Sequence, residues 1–395
     1  MEVTAHRRAH AGELIAYALP PGPMWLDILA AHADSGASFL PLDVRLTERE
    51  QRRLIARAGP TMLVTQDEEV LFGGTTPSDP DRAWAVVATS GTAGEPKLVE
   101  LPRTAAGAAV AGSLQALDAS AFDPWVSCLS PAHMGGLLVL LRGALAGAPL
   151  EVRDRFEPRW VVDEAPDGAH VALVPVMLER LVATATDLSR LGTVLIGGGR
   201  LEPALRDAAA RLGARVVTTY GLTESCGGVV YDGIPFDDAA VRLGEGGSIE
   251  LRGPTLMDGY RGDPSATARA FTVDGWLRTG DLGSLDAEGR LVVDGRADDA
   301  IRTGGETVWP EEVEAVLRTH PRVADVAVAG EADPSWGQRV TAWIVPADRD
   351  DPPSLEDLRG FTRVSLARFK APRELRLVDE LPRTPSGKLR RHALP

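Results

Sequence analysis

The chain has 395 residues, 44% of them hydrophobic, with 42 basic against 56 acidic side chains and a formal charge of −14. That length favours a large domain with a smaller partner over one small domain. The charge argues against a general nucleic-acid or acidic-membrane surface, so a bound anion has to meet locally positive potential.

Between residues 83 and 220, short Val/Ile/Ala-rich segments alternate with segments of helical period. Strands are predicted at 84–88, 126–129, 193–196 and 216–218, and helices at 105–117, 135–145 and 202–212. This rhythm predicts α/β layers on a mostly parallel or mixed sheet. Stretches of unusual composition follow the strand candidates at 89–97, 197–199 and 220–224. Ligands of open α/β sheets collect beyond the carboxyl ends of strands, so these stretches could share one cleft.

Residues 244–294 read as a β-rich subdomain, with strands in "GSIELRGP" and "GRLVVDGR" and a turn between them at 286–289. Beyond Arg296 a small α/β unit of about 100 residues is expected. Pro310 opens a helix striped by Val313, Val316 and Leu317. Strands near 326–329, 340–345 and 374–378 and a helix near 355–366 complete it.

Cys128 and Cys226 are too far apart for a short metal-binding pattern and give no disulfide framework, which fits a reducing cytoplasm. The N-terminus lacks the apolar core of a signal peptide, and Arg142 cuts the apolar run 137–141, so no membrane span is expected.

The stretch "TSGTAGEPK" (89–97) offers the hydroxyls of Thr89, Ser90 and Thr92, open backbone at Gly91 and Gly94, and the cation of Lys97. Such a loop can wrap phosphate oxygens; a plain surface turn is the alternative. It is not a Walker A loop, in which Ser or Thr follows the lysine directly. Only three lysines occur in the chain, Lys97, Lys370 and Lys388. An ammonium is a compact point charge that a planar guanidinium does not replace, so a lysine kept in an arginine-rich chain calls for a specific reason.

With "YGLTE" (220–224), "GWLRTGD" (275–281), "GRADDAIRTGGETVWPEEVE" (295–314) and "PRTPSGK" (382–388), this loop resembles, in order and spacing, the core motifs of the adenylate-forming acyl-CoA synthetase superfamily. The likeness runs from about residue 35 to Lys388. It implies a large N-terminal layered α/β domain (1–296) that binds ATP and the acid, a mobile C-terminal α/β domain (297–395), and a hinge near Asp298. It also implies a two-step reaction. A carboxylate attacks the α-phosphate of ATP to give an acyl-adenylate and pyrophosphate, and the thiol of coenzyme A then displaces AMP.

The resemblance assigns roles residue by residue. Thr89, Ser90, Gly91, Thr92, Gly94 and Lys97 would hold the β- and γ-phosphates. Thr223 would approach the α-phosphate, and Glu224, with Thr92, would hold Mg²⁺. Tyr220 and Gly197, Gly198 and Gly199 would enclose adenine. Asp281 would accept from the ribose hydroxyls, with Arg296 as second contact. His133 would gate or pack the acyl channel. Lys388 would bridge the attacking carboxylate and the α-phosphate. Gly304, Gly305 and Glu306 would form the thiol tunnel after domain rotation. Lys370 would touch the phosphates of coenzyme A or be a plain surface charge.

The chain departs from the usual pattern at Ala93, Leu98 and Thr307, which bears on the phosphate loop and the thiol tunnel. Its reduced N-terminus and "YGLTESCGGVVYDGIPF" look most like the actinobacterial o-succinylbenzoate–CoA ligases of menaquinone synthesis. Arg142, nine positions after His133 on an apolar helix, matches the arginine those enzymes offer to the substrate carboxylate that is not activated. An arginine reaching water at the helix end is the alternative. Other expectations are a cytoplasmic enzyme whose partners are a small carboxylic acid, ATP and coenzyme A, with a homodimer left open. Another aryl or fatty acid, a carrier-protein thiol, or a non-catalytic nucleotide-binding protein stand as alternatives.

Overall fold

The computed structural model describes residues 10–72, 83–89, 96–383 and 389–395. By its internal contacts the chain divides into two units. One comprises Met1–Arg242, Glu250–Thr279 and Ala287–Leu291; the other comprises Leu243–Ile249, Gly280–Asp286 and Val292–Pro395. The boundary expected between 296 and 297 falls inside the second unit, because pieces of the predicted β-rich subdomain group with the C-terminal residues.

The first unit holds two seven-stranded mixed sheets. One runs in the order Gly259–Tyr260, Leu98–Leu101, Ala85–Ala88, Ser38–Pro41, Leu14–Tyr17, Met62–Val64, Glu69–Leu71. Its centre is parallel and buried on both faces, so Leu14, Ile15, Phe39 and Leu40 form unbroken apolar runs instead of an alternating pattern. These runs are only three or four residues long, which is why the sequence reading passed over them.

The second sheet runs Ile234–Pro235, Gly227–Tyr231, Val216–Leu222, Val194–Ile196, His170–Leu173, Trp125–Ser127, Leu150–Val152. Val126, Val171, Val194 and Val216 point from it into a core closed by Leu178 and Leu181 of the helix Pro175–Thr184. Proline opens this helix and also Pro203–Arg211, where its fixed φ suits the first turn and its missing N–H costs nothing.

A four-stranded sheet follows, ordered Ala240–Leu243, Ser248–Arg252, Leu277–Leu285, Leu291–Arg296. The predicted turn at 286–289 therefore joins Leu277–Leu285 to Leu291–Arg296 and does not join the two strands named for it. The polar motif "GWLRTGD" had concealed the strand between them.

In the second unit the long hairpin Val323–Asp333/Gly337–Pro346 carries Glu374–Leu377 in parallel and packs under the helices Pro310–Arg318 and Leu355–Ser365. Val313, Leu317, Val326, Val328, Ile344 and Leu358 form its core. Among the described residues, no helix is long and apolar enough to cross a membrane.

Candidate functional site

Ala85–Ala88 and Leu98–Leu101 pair antiparallel, and Thr89 N–H donates to the Lys97 carbonyl at 2.8 Å beyond the pairing. The phosphate-loop candidate thus stands between two strands, where a strand-to-helix turn would make a Walker loop. Of its predicted ligands, Ser90, Gly91, Thr92 and Gly94 lie outside the described residues, as does Lys388. Lys97 is exposed, and its Nζ stands 4.4 Å above the centroid of the Tyr260 ring.

The phenol of Tyr260 donates to Glu224 Oε1 at 2.8 Å. One buried tyrosine therefore touches both the lysine of the first motif and the carboxylate of the second. Sequence reasoning missed Tyr260: "MDGYRGDP" reads as a turn, and only the pairing of Gly259–Tyr260 with Leu98–Leu101 brings it to the lysine.

Glu224 sits in a short 3₁₀ turn, Thr223–Ser225, between the strands Val216–Leu222 and Gly227–Tyr231. Ser225 ties the turn down, its Oγ accepting from Leu222 N–H at 2.8 Å and donating to the Gly227 carbonyl at 2.9 Å. The register between the strands shifts at Tyr220/Gly221. A side chain at Gly221 would put its Cβ 1.9 Å from the Gly227 carbonyl oxygen, so the close approach requires glycine there. Cys226 is fully buried, and burial pushes its thiol up to about 12, which leaves no thiolate for nucleophilic work near neutrality.

Gly197, Gly198 and Gly199 follow the neighbouring strand Val194–Ile196, whose Ile196 pairs with Thr218, and a Cβ at Gly197 would meet the Thr219 side chain at 3.1 Å. The glycine loop therefore lies beside the last residues of the adjacent parallel strand, which include Tyr220. The carboxyl ends of these strands gather Gly197–Gly199, Tyr220, Thr223 and Glu224, as the α/β rule requires.

His133 begins the helix Met134–Ala146 and is anchored from its Nε2, 3.1 Å from Asp43 Oδ2. Arg45 grips the same carboxylate through Nε at 2.9 Å and a terminal nitrogen at 2.7 Å. Burial pushes the Asp43 carboxyl up, but the hydrogen bonds from His133 and Arg45 outweigh it and hold the group well below the usual carboxylate range. The Arg45 terminal nitrogen also lies 3.4 Å from His133 Nε2, so the three side chains form one cluster at the start of the helix. Sequence reasoning gave Asp43 and Arg45 no task.

Arg142 lies near the other end of that helix at 1% exposure. Its guanidinium stacks 4.0 Å from the Trp125 ring centroid and donates to Ser113 Oγ. Burial lowers its pKa to about 10, which leaves it charged at neutral pH. The alternative of an arginine reaching water is excluded. No carboxylate pairs with it among the described residues.

In the second unit Asp281 and Arg296 come together. Arg296 donates to Asp281 Oδ1 at 3.1 Å, and Asp281 is 6% exposed. A Cβ at Gly280, where φ is +74°, would meet the Arg296 guanidinium at 2.9 Å. Asp298 is exposed in the short turn Ala297–Asp299. Gly304 and Gly305, with φ of 60° and 86°, make the two-residue connection between Ile301–Thr303 and Glu306–Val308 that twisted hairpins favour. Lys370 is taken up by Glu312 at 2.5 Å.

Residues 67–243 match the family of AMP-binding enzymes, and 312–388 match the AMP-binding enzyme C-terminal domain. Over 360 residues the chain is 40% identical to a probable 2-succinylbenzoate–CoA ligase of Mycobacterium tuberculosis, covering 87% of this chain and 92% of that relative. Among solved structures it is similar to the o-succinylbenzoate coenzyme A synthetase of Bacillus subtilis in complex with the acyl-adenylate intermediate OSB-AMP. The TM-score is 0.88 at 26% identity, over 97% of this chain and 88% of that one. The same enzyme with ATP and magnesium ion matches at a TM-score of 0.87 and 26% identity, over 98% and 90%.

Proposed function

This chain belongs to the AMP-binding enzyme family, and from that premise we propose that it is a cytoplasmic, AMP-forming ligase that joins o-succinylbenzoate to coenzyme A for menaquinone synthesis. The acid carboxylate attacks the α-phosphate of ATP and expels pyrophosphate. The thiol of coenzyme A then attacks the acyl-adenylate, loses its proton and expels AMP. The observation that carries the chemistry is the contact of Lys97 and Glu224 with one tyrosine, which puts a cation and a carboxylate in one cluster.

The donor set fits ATP with a magnesium ion. Oε1 of Glu224 is occupied by the Tyr260 phenol, which leaves Oε2 for the metal; one carboxylate plus substrate phosphates is a common magnesium arrangement. When bound, the ion would neutralise phosphate charge. Lys97, exposed and paired with no carboxylate among the described residues, would turn to the leaving pyrophosphate together with Thr89 and the loop residues Ser90, Gly91, Thr92 and Gly94. Thr223 would donate to the α-phosphate, where charge grows during attack. Tyr220 would lie against adenine with the Gly197–Gly199 loop opposite, and Asp281 and Arg296 would hold the ribose. In the second half-reaction the Gly304–Gly305–Glu306 turn would border the thiol path.

The choice of acid rests on the 40% identical relative and on Arg142. An enclosed cation without a carboxylate partner among the described residues is the charge complement we propose for the second carboxylate of o-succinylbenzoate. Acid-dependent pyrophosphate release with ATP and Mg²⁺ is expected to be selective for o-succinylbenzoate over benzoate, a coumarate and a medium-chain fatty acid, with the CoA thioester identified by mass. Selective turnover of another acid would replace the substrate and keep the chemistry.

Arg142→Met is expected to raise the KM for o-succinylbenzoate on the order of 10-fold or more with the KM for ATP unchanged. Its urea midpoint should move little, since an unpaired buried charge gives way to an apolar side chain of similar length. An unchanged KM for the acid would make the arginine a packing residue only.

A further inference from the structure

We propose that Tyr260 is a positioning residue that couples the phosphate-loop lysine to the magnesium carboxylate. The proposal rests on the reading of Lys97 and Glu224 as ATP-site residues. The segment around Tyr260 is bonded to both motifs through its backbone as well as its side chain. Met257 N–H donates to the Glu224 carbonyl at 2.8 Å, and Arg261 N–H donates at 2.8 Å to the carbonyl of Leu98, the residue after Lys97. The strand Gly259–Tyr260 pairs with Leu98–Leu101 so that Tyr260 faces Val99, and Thr267 Oγ1 accepts from the Tyr260 N–H at 2.8 Å. Arg261 anchors the far side, donating to the Ala58 carbonyl at 2.8 Å and to Glu100 at 3.0 Å.

The side chain does two separable things. Its hydroxyl holds one oxygen of Glu224, which would fix the orientation in which the carboxylate is offered to magnesium. Its ring face holds the Lys97 ammonium by cation–π attraction, a hold that a phosphate oxygen easily outcompetes, so the lysine is kept near its task before the nucleotide arrives. Removing the hydroxyl alone and removing the ring must therefore give different phenotypes.

The test compares Tyr260→Phe, Tyr260→Leu and Glu224→Gln in the full-length enzyme. Two readouts are taken: the Mg²⁺ concentration that gives half-maximal acid-dependent pyrophosphate release, and the Kd for ATP at saturating Mg²⁺ by calorimetry without acid. Tyr260→Phe keeps volume and ring and is expected to raise the Mg²⁺ requirement roughly 3- to 10-fold with the ATP Kd unchanged. Tyr260→Leu is expected to do the same and also to weaken ATP binding about 3- to 10-fold. An unchanged Mg²⁺ curve in Tyr260→Phe, beside a shifted one in Glu224→Gln, overturns the positioning role. Identical behaviour of the Phe and Leu enzymes overturns the role of the ring. If Glu224→Gln leaves the Mg²⁺ curve unmoved, the reading of the site fails and the proposal with it.

Discussion

A Gly221→Ala enzyme is expected to lose acid-dependent pyrophosphate release on the order of 100-fold while remaining folded, because a displacement of about 1 Å at reacting groups costs that much. The added methyl would lie 1.9 Å from the Gly227 carbonyl oxygen and 2.8 Å from the Gly228 Cα, both backbone atoms that cannot rotate away. The strands Val216–Leu222 and Gly227–Tyr231 must part at the register shift that aims Tyr220, Thr223 and Glu224. Gly107→Ala is the control: its Cβ meets nothing within 4 Å, and it lies inside the helix Arg103–Leu117, where alanine is favoured by about 1 kcal/mol. The control should keep full rate and gain a little in urea midpoint. A Gly221→Ala enzyme of normal rate would show that the close strand approach serves folding alone.

Lys388→Ala should slow adenylation on the order of 100- to 1000-fold, the scale of losing one positioned charge at a phosphoryl transition state. Thioester formation from supplied acyl-adenylate should stay within a few-fold of the parent enzyme, if, as we propose, the lysine serves the first half-reaction only. The flanking residues give the loss its specificity. Arg383 pairs with Asp325 at 2.7 Å and bridges Leu389. Arg391 is gripped by Glu311 at 3.0 Å, Glu314 at 2.9 Å and Asp299 at 3.3 Å. These ion pairs hold the described residues on either side of Lys388. Equal loss of both half-reactions would contradict a lysine that acts in one domain orientation and a rotation about Asp298 that withdraws it.

What the sequence disclosed followed the length scale of its signals. The helices near 105–117, 135–145 and 355–366 were legible because each repeats its apolar stripe over three turns or more, and the observed bounds differ by a residue or two. Strands of three or four residues, such as Leu14–Tyr17 and Met62–Val64, carry too few residues to show a period. Glu224 and Lys97 stood out because their motifs are dense in Gly, Ser and Thr. Tyr260 and Asp43 did not, because a lone tyrosine or aspartate acquires meaning only when a partner more than thirty residues away arrives beside it. Arg142 lay between these cases. The sequence showed that a charge sits in an apolar helix, and only packing showed that it is sealed against Trp125 and Ser113.

The fate of Lys370 has a practical side. With one of three ε-amines bound to Glu312 and another, Lys97, exposed over an aromatic ring, an amine-directed reagent meets very few targets on this chain of 395 residues. Arginine carries the rest of the positive charge and is inert to such reagents at neutral pH. A peptide map after brief labelling would therefore be nearly background-free, and protection at Lys97 would report nucleotide occupancy in the unmodified protein, with neither a tag nor a mutation.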